Sequence, residues 1–160
     1  RPILKLLARD TGETAQLEVP VQDGMLILDE VTGRHVVTAT GNIGTHWPIH
    51  ATSSGKAYMA FDKNTYNQLP DKLSSLTKNT ISSKALMKVE IERIVKRGFS
   101  ESVDELEAGY SCVGIAVFDA LGNIQGALSI GGPSHRMTME RRMEIGIALK
   151  KASDRLSPEY

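Results

Sequence analysis

The sequence predicts an α+β domain, an antiparallel sheet covered by helices. Two observations carry this. The elements follow one another as helix, three strands, helices, strands and helix, an order that suggests helices laid on an antiparallel sheet. Residues 110–133 hold two strands that alternate small residues with branched apolar ones. Cys112, Gly114 and Ala116 share one face there, and Val113, Ile115 and Val117 the other, because strand side chains point to opposite sides at each step. Ser129 and Gly131 oppose Leu128 and Ile130 in the same way. One face is bulky enough to support helices. The other is slim, and it either leaves a hollow with a thiol and a hydroxyl on its floor or lets a helix approach the sheet closely.

Taken in order, residues 3–9 read as the tail of an amphipathic helix that ends near Thr11-Gly12. Residues 15–19, 25–28 and 36–40 read as strands, separated by the turn formers Gln22-Asp23-Gly24 and Thr32-Gly33. Residues 41–50 form an irregular loop with the single tryptophan, Trp47. A helix follows the polar cluster Thr52-Ser53-Ser54, whose hydroxyls can accept free first-turn amides. A short helix follows Asp62 and stops before Pro70. Residues 83–97 form an amphipathic helix with Met87, Ile91, Ile94 and Val95 on one stripe. Lys96 and Arg97 suit its negative end, and Gly98 the position just past it. Residues 100–109 read as an acidic loop. Thr138 caps the last helix, with Met139, Met143 and Ile147 on one side and Glu140 in the first turn.

Composition excludes several classes. The chain has 160 residues, 19 Lys+Arg and 19 Asp+Glu. A balanced charge argues against this segment gripping a nucleic-acid backbone by itself. No apolar run reaches membrane-span length, and no signal peptide is evident. The one cysteine cannot form an internal disulfide, so a reducing cytoplasm is the expected compartment.

Candidate chemistry is sparse. Residues 50–56, His-Ala-Thr-Ser-Ser-Gly-Lys, fail as a phosphate loop: the first glycine of that motif would fall at His50, and Ala57 stands where Ser or Thr is required. The amides of Ser53, Ser54 and Gly55 either cap a helix or hold an anion. Gly109-Tyr-Ser-Cys-Val-Gly114 misses the nucleophile elbow, because Val113 replaces its second glycine. Cys112 with His50 as base is a conceivable nucleophile pair, against the ordinary reading of an inert cysteine in an apolar strand. His50, Cys112 and Asp104 would bind a metal only by long-range convergence. Glu101, Asp104, Glu105 and Glu107 read as a solvated loop, or as a lid over the hollow.

Two segments together resemble a known family. Pro48-Ile-His-Ala-Thr-Ser-Ser-Gly-Lys-Ala57 resembles the P-x-H-x-x-x-x-G-K-A signature of the IclR family of transcriptional regulators. Gly98-Phe, Glu107-Ala-Gly-Tyr-Ser-Cys112, Val117-Phe-Asp and the run from Ala127 through Gly131-Gly-Pro-Ser-His-Arg136 resemble the same family's later half in order and spacing. The resemblance covers essentially the whole chain. It implies a GAF-like (profilin-like) effector-binding domain with a curved antiparallel sheet and flanking helices. It implies an N-terminal winged helix-turn-helix outside this chain, through which DNA would be bound, and assembly as a homodimer or homotetramer. The effector implied is a small organic or aromatic acid, with no cofactor, no metal and no membrane contact. Carried over by position, the site would use Ser53, Ser54, Gly55, Cys112, Ser129 and Gly131, with Asp104 near it.

The chain departs from the family pattern at two places. Gly131 stands where many members have serine, and Ser102 or Val103 where an acidic residue is usual. Volume freed at Gly131 is expected to admit a bulkier or less polar effector. Two rival functions remain: an enzyme with Cys112 as nucleophile, and an oligomerisation module without ligand.

Overall fold

A computed structural model describes residues 1–22, 24–39 and 41–156. Helix α1 (Pro2–Thr11) ends at Gly12, which takes the left-handed conformation at φ 77° and returns its N–H to the Ala8 carbonyl. Strands β1 (Thr14–Val21), β2 (Gly24–Val31) and β3 (His46–Pro48) follow. After a turn of 3-10 helix come α2 (Ser53–Met59), α3 (Lys63–Asn67) and α4 (Lys84–Arg97). Strands β4 (Ser100–Val103), β5 (Tyr110–Phe118) and β6 (Ile124–Pro133) and helix α5 (Met139–Leu156) complete the described elements. The strands form one sheet in the order β3-β2-β1-β6-β5-β4, every pair antiparallel. The α+β expectation holds.

The bulky face carries the core. Val113, Ile115, Leu128 and Ile130 pack with Leu4 and Leu7 of α1 and Ile145, Leu149 and Ala152 of α5. Each of the Val, Leu and Ile side chains contributes roughly 1.5–3 kcal/mol by leaving water. The slim face meets α2 and the turn before it. A Cβ on Gly114 would stand 2.7 Å from the Ser53 carbonyl, so glycine alone permits this approach. Ser100 donates to the Ser53 carbonyl, and Ser102 to the Ala51 carbonyl at 2.9 Å. Close approach of a helix explains the small residue at Gly114, and only a small hollow remains beside Cys112 and Ser129.

Three local expectations are corrected. Residues 36–39 are not a strand; the edge beside β2 is taken by His46–Pro48, while Val36 and Val37 lie exposed. Thr40 of that expectation, and Asp23 of the first turn, lie outside the described residues. Residues 100–103, read as loop, pair with β5. Val95 is exposed on α4, where Met87 and Ile94 are buried. On α5 the side shared by Met139, Met143 and Ile147 faces outward, Met139 at 72% exposure. Helix α5 carries a second stripe, Ile145, Leu149 and Ala152, and Gly146 beside it fits against Phe99, where a Cβ would come within 2.6 Å of the ring. That close seat decides which stripe turns inward.

Candidate functional site

The β1–β6–β5 register places Thr14, Gly131 and Cys112 in one row across the slim face, and Gln16, Ser129 and Gly114 in the next. Glu18 projects to the same side two residues further along β1. It is 2% exposed. Its Oε2 accepts from the Ser54 hydroxyl at 2.6 Å and its Oε1 from the Ser129 hydroxyl at 2.6 Å. Burial raises its carboxyl above the ordinary 4.5, with the two hydroxyls pulling the other way. Ser54 and Ser129, both expected to meet a ligand, therefore donate to a carboxyl of the chain itself.

Cys112 borders the same small hollow, together with Gln16, Trp47, Ser53, Leu106 and Tyr110. Burial pushes the Cys112 thiol's pKa up, which disfavours the reactive thiolate. His50 lies on the turn before α2, and its Nε2 donates to the Ser74 carbonyl at 2.8 Å. Among the described residues no hydrogen bond joins His50 to Cys112, so the two are not assembled as a nucleophile and its base. Among the described residues no group of three or more His, Cys, Asp or Glu is placed to hold a metal ion.

Gly131 does not leave free volume. A Cβ there would stand 2.3 Å from the Tyr110 hydroxyl and 2.8 Å from its ring, so the chain's own tyrosine fills the space. Gly55 donates its amide to the Thr52 hydroxyl at 3.1 Å, which makes it part of the α2 cap. Ser53 is fully buried, and among the described residues its hydroxyl has no hydrogen-bond partner.

The acidic loop is solvated only in part: Glu107 is exposed and lines the cleft, while its neighbours are tied down. Glu105 reaches inward and accepts from Lys56 Nζ at 2.9 and 3.0 Å, and Lys56 also reaches Glu90 on α4 at 3.3 Å. Lys56 is 1% exposed. Thr77 and Thr80 donate to the carbonyls of Asp104 and Glu105, each at 2.6 Å. Asp104 accepts from the Gly109 amide at 2.8 Å and the Ser134 hydroxyl at 2.6 Å, and these bonds lower its carboxyl's pKa. Asp104 thus fastens the loop and is not among the residues that line the cleft. Glu101 pairs with Arg97 and Arg142.

Beyond the small hollow opens a cleft of about 910 Å³. Its walls include Trp47, Pro48, Leu76, Leu106, Tyr110 and Pro133, with Gln16 at the back and Glu107 at the lip. The loop carrying Thr38 and Ala39 forms another edge. Arg136 holds that edge: it grips buried Glu13 through two bonds of 2.6 and 2.8 Å and donates to the Val37 carbonyl at 2.7 Å. A cavity of this size with apolar walls and few polar groups is the ordinary form of a small-molecule site.

Sequence reasoning did not single out Glu18, Gln16 or Tyr110. Polar residues at every second position of a strand, as at Gln16 and Glu18, ordinarily mark a face open to water. Here both faces are covered, and that requires the packing of α2 to be known.

The sequence matches the family described as "Bacterial transcriptional regulator IclR C-terminal" over residues 1–158. The chain belongs to the IclR family of bacterial transcriptional regulators. This IclR-family chain is 31% identical to the transcriptional repressor IclR of Escherichia coli K12 over 164 aligned residues. It is 32% identical to the acetate operon repressor of Salmonella typhimurium over the same length. Each alignment covers 99% of this chain and 60% of the relative, so the chain spans somewhat over half the length of these curated relatives. Among solved structures, the Thermotoga maritima IclR superposes with a TM-score of 0.88 at 29% identity, covering 97% of this chain and 64% of that one. The C-terminal domain of the E. coli regulator KdgR superposes at 0.84 with 25% identity, covering 98% and 92%. The relatives named here are regulators and repressors, which disfavours the enzyme alternative. No described helix is long and apolar enough to cross a membrane.

Proposed function

We propose that this chain is the effector-sensing and self-associating part of a transcriptional repressor that works in the cytoplasm, as a homodimer or homotetramer. DNA would be bound by a winged helix-turn-helix outside this chain, with residues 1–160 acting as one sensing domain. The single observation that carries this reading is the cleft of about 910 Å³ bounded by Trp47 and Tyr110. A small molecule seated there touches β3, the β4–β5 loop and the end of β6 together. It shifts the regulator only to the extent that it binds one arrangement of these parts better than the other.

The resemblance suggests a small organic or aromatic acid as effector, held by Ser53, Ser54, Gly55, Cys112 and Ser129. The engagement of Ser54 and Ser129 by Glu18 weighs against an acid at that position.

The test uses the full-length regulator and DNA from its own upstream region. Compounds are first ranked by their effect on its melting temperature, since a ligand that binds only the native state stabilises it by mass action. The leading compound is then added to a DNA-binding titration. A change in operator affinity supports the sensor. A stabilising compound that leaves DNA affinity unchanged contradicts it.

A further inference from the structure

Resting on the effector reading, we propose that the cleft selects a small organic cation, an amine held as its ammonium against Trp47 and Tyr110 with the Glu18 carboxyl as counter-charge. Among the described residues that line the cleft, none is Lys, Arg or His. Two basic groups behind its walls are committed elsewhere, Lys56 to Glu105 and Glu90 and Arg136 to Glu13. A carboxylate ligand would find no cation in the cleft wall to meet.

The acidic groups are arranged the opposite way. Glu18 lies on the floor of the hollow that joins the cleft through the shared walls Gln16, Trp47, Leu106 and Tyr110. Glu30 stands behind Gln16, accepting from its Nε2 at 2.6 Å and from the Gly41 amide at 3.0 Å. Glu107 marks the lip. Three carboxyl groups therefore set the potential of the cleft's back, floor and lip, and low-dielectric walls strengthen it.

The neutral groups agree with that sign. The hydroxyls an acid would need as donors, Ser54 and Ser129, already donate to Glu18. Ser53 offers a buried hydroxyl oxygen with no partner among the described residues. Trp47 and Tyr110 supply aromatic faces, which attract a desolvated ammonium through the ring quadrupole. The hollow between cleft and carboxyl measures about 10 Å³. That is close to the space of one water, enough to relay a hydrogen bond from an ammonium to Glu18.

The experiment compares two probes with the same ring, phenethylamine and phenylacetate, by thermal shift and calorimetry on the chain. Phenethylamine is expected to raise the melting temperature and phenylacetate to leave it unchanged. Glu18→Gln is expected to weaken phenethylamine by about tenfold or more, as loss of a charge-assisted contact does. Glu107→Gln, at the exposed lip, is expected to weaken it less than about threefold. Stabilisation by phenylacetate alone, or by both probes equally, overturns the cation selectivity and leaves the effector reading standing. Stabilisation by neither overturns the ammonium subsite, while the effector reading is decided separately by the DNA-binding titration. Should Glu18→Gln fail to fold, the wild-type comparison of the two probes still decides.

Discussion

Glu18 and Ser129 face the same side of adjacent strands, joined by a 2.6 Å hydrogen bond from the serine hydroxyl to the carboxyl. The bond places a buried acid on the floor of the hollow, and its consequence is measurable with pH. Burial raises the Glu18 pKa above its ordinary 4.5. A group whose folded pKa lies above its unfolded value contributes its stability fully below the unfolded value and loses it as pH rises through the folded one. Wild-type stability, followed by urea denaturation, is therefore expected to fall relative to Glu18→Gln as pH rises above 4.5. Parallel curves for the two proteins would contradict the burial of an ionisable group at this position.

Lys56 ties α2 to the β4–β5 loop through Glu105 and to α4 through Glu90. Lys56→Met leaves the Glu105 carboxylate buried without a cation, with only the Val103 amide donating to it among the described residues, and is expected to cost about 3–5 kcal/mol. The double variant Lys56→Met/Glu105→Leu is expected to recover much of that loss, because replacing both charges removes the unpaired one. Additive losses in denaturant titrations would show that the pair is not coupled.

Gly131 lies under the Tyr110 ring. Gly131→Ser is expected to destabilise by about 1–3 kcal/mol through overpacking. Adding Tyr110→Ala, which vacates the space, is expected to make the serine close to neutral in that background. Equal costs in both backgrounds would mean that the tyrosine does not fill the site.

The outward stripe of α5 gives a contrast within one helix. Leu149→Ala, in the core, is expected to cost about 2–5 kcal/mol. Met143→Ala, half exposed, is expected to change folding stability by less than about 0.5 kcal/mol. The reverse order would mean that the helix is seated on its other face.

Much of this was legible in the sequence for a physical reason. Periodicity and caps are local, so α4 with its Ser83 cap and Gly98 terminus follows directly from residues 83–98. The two-faced pattern of β5 and β6 is local too, and it located both the core face and the slim one. The rest depended on long-range contact. Helix α5 carries two apolar stripes, and only the fit of Gly146 against Phe99 chooses between them. Edge strand β3 wins its place through pairing with β2, not through its own composition. The site was half legible. Ser54, Cys112 and Ser129 do converge on the small hollow, yet the partner of the two serines is Glu18, some 36 residues before one and 111 before the other.

Trp47 is the single tryptophan of the chain and stands in the wall of the cleft. Its fluorescence therefore reports on occupancy without any label. A titration with a compound that raises the melting temperature should change Trp47 emission saturably, with a midpoint equal to the calorimetric Kd. Stabilisation by such a compound with no change in emission at any concentration would place the binding elsewhere and contradict the cleft as the sensing site.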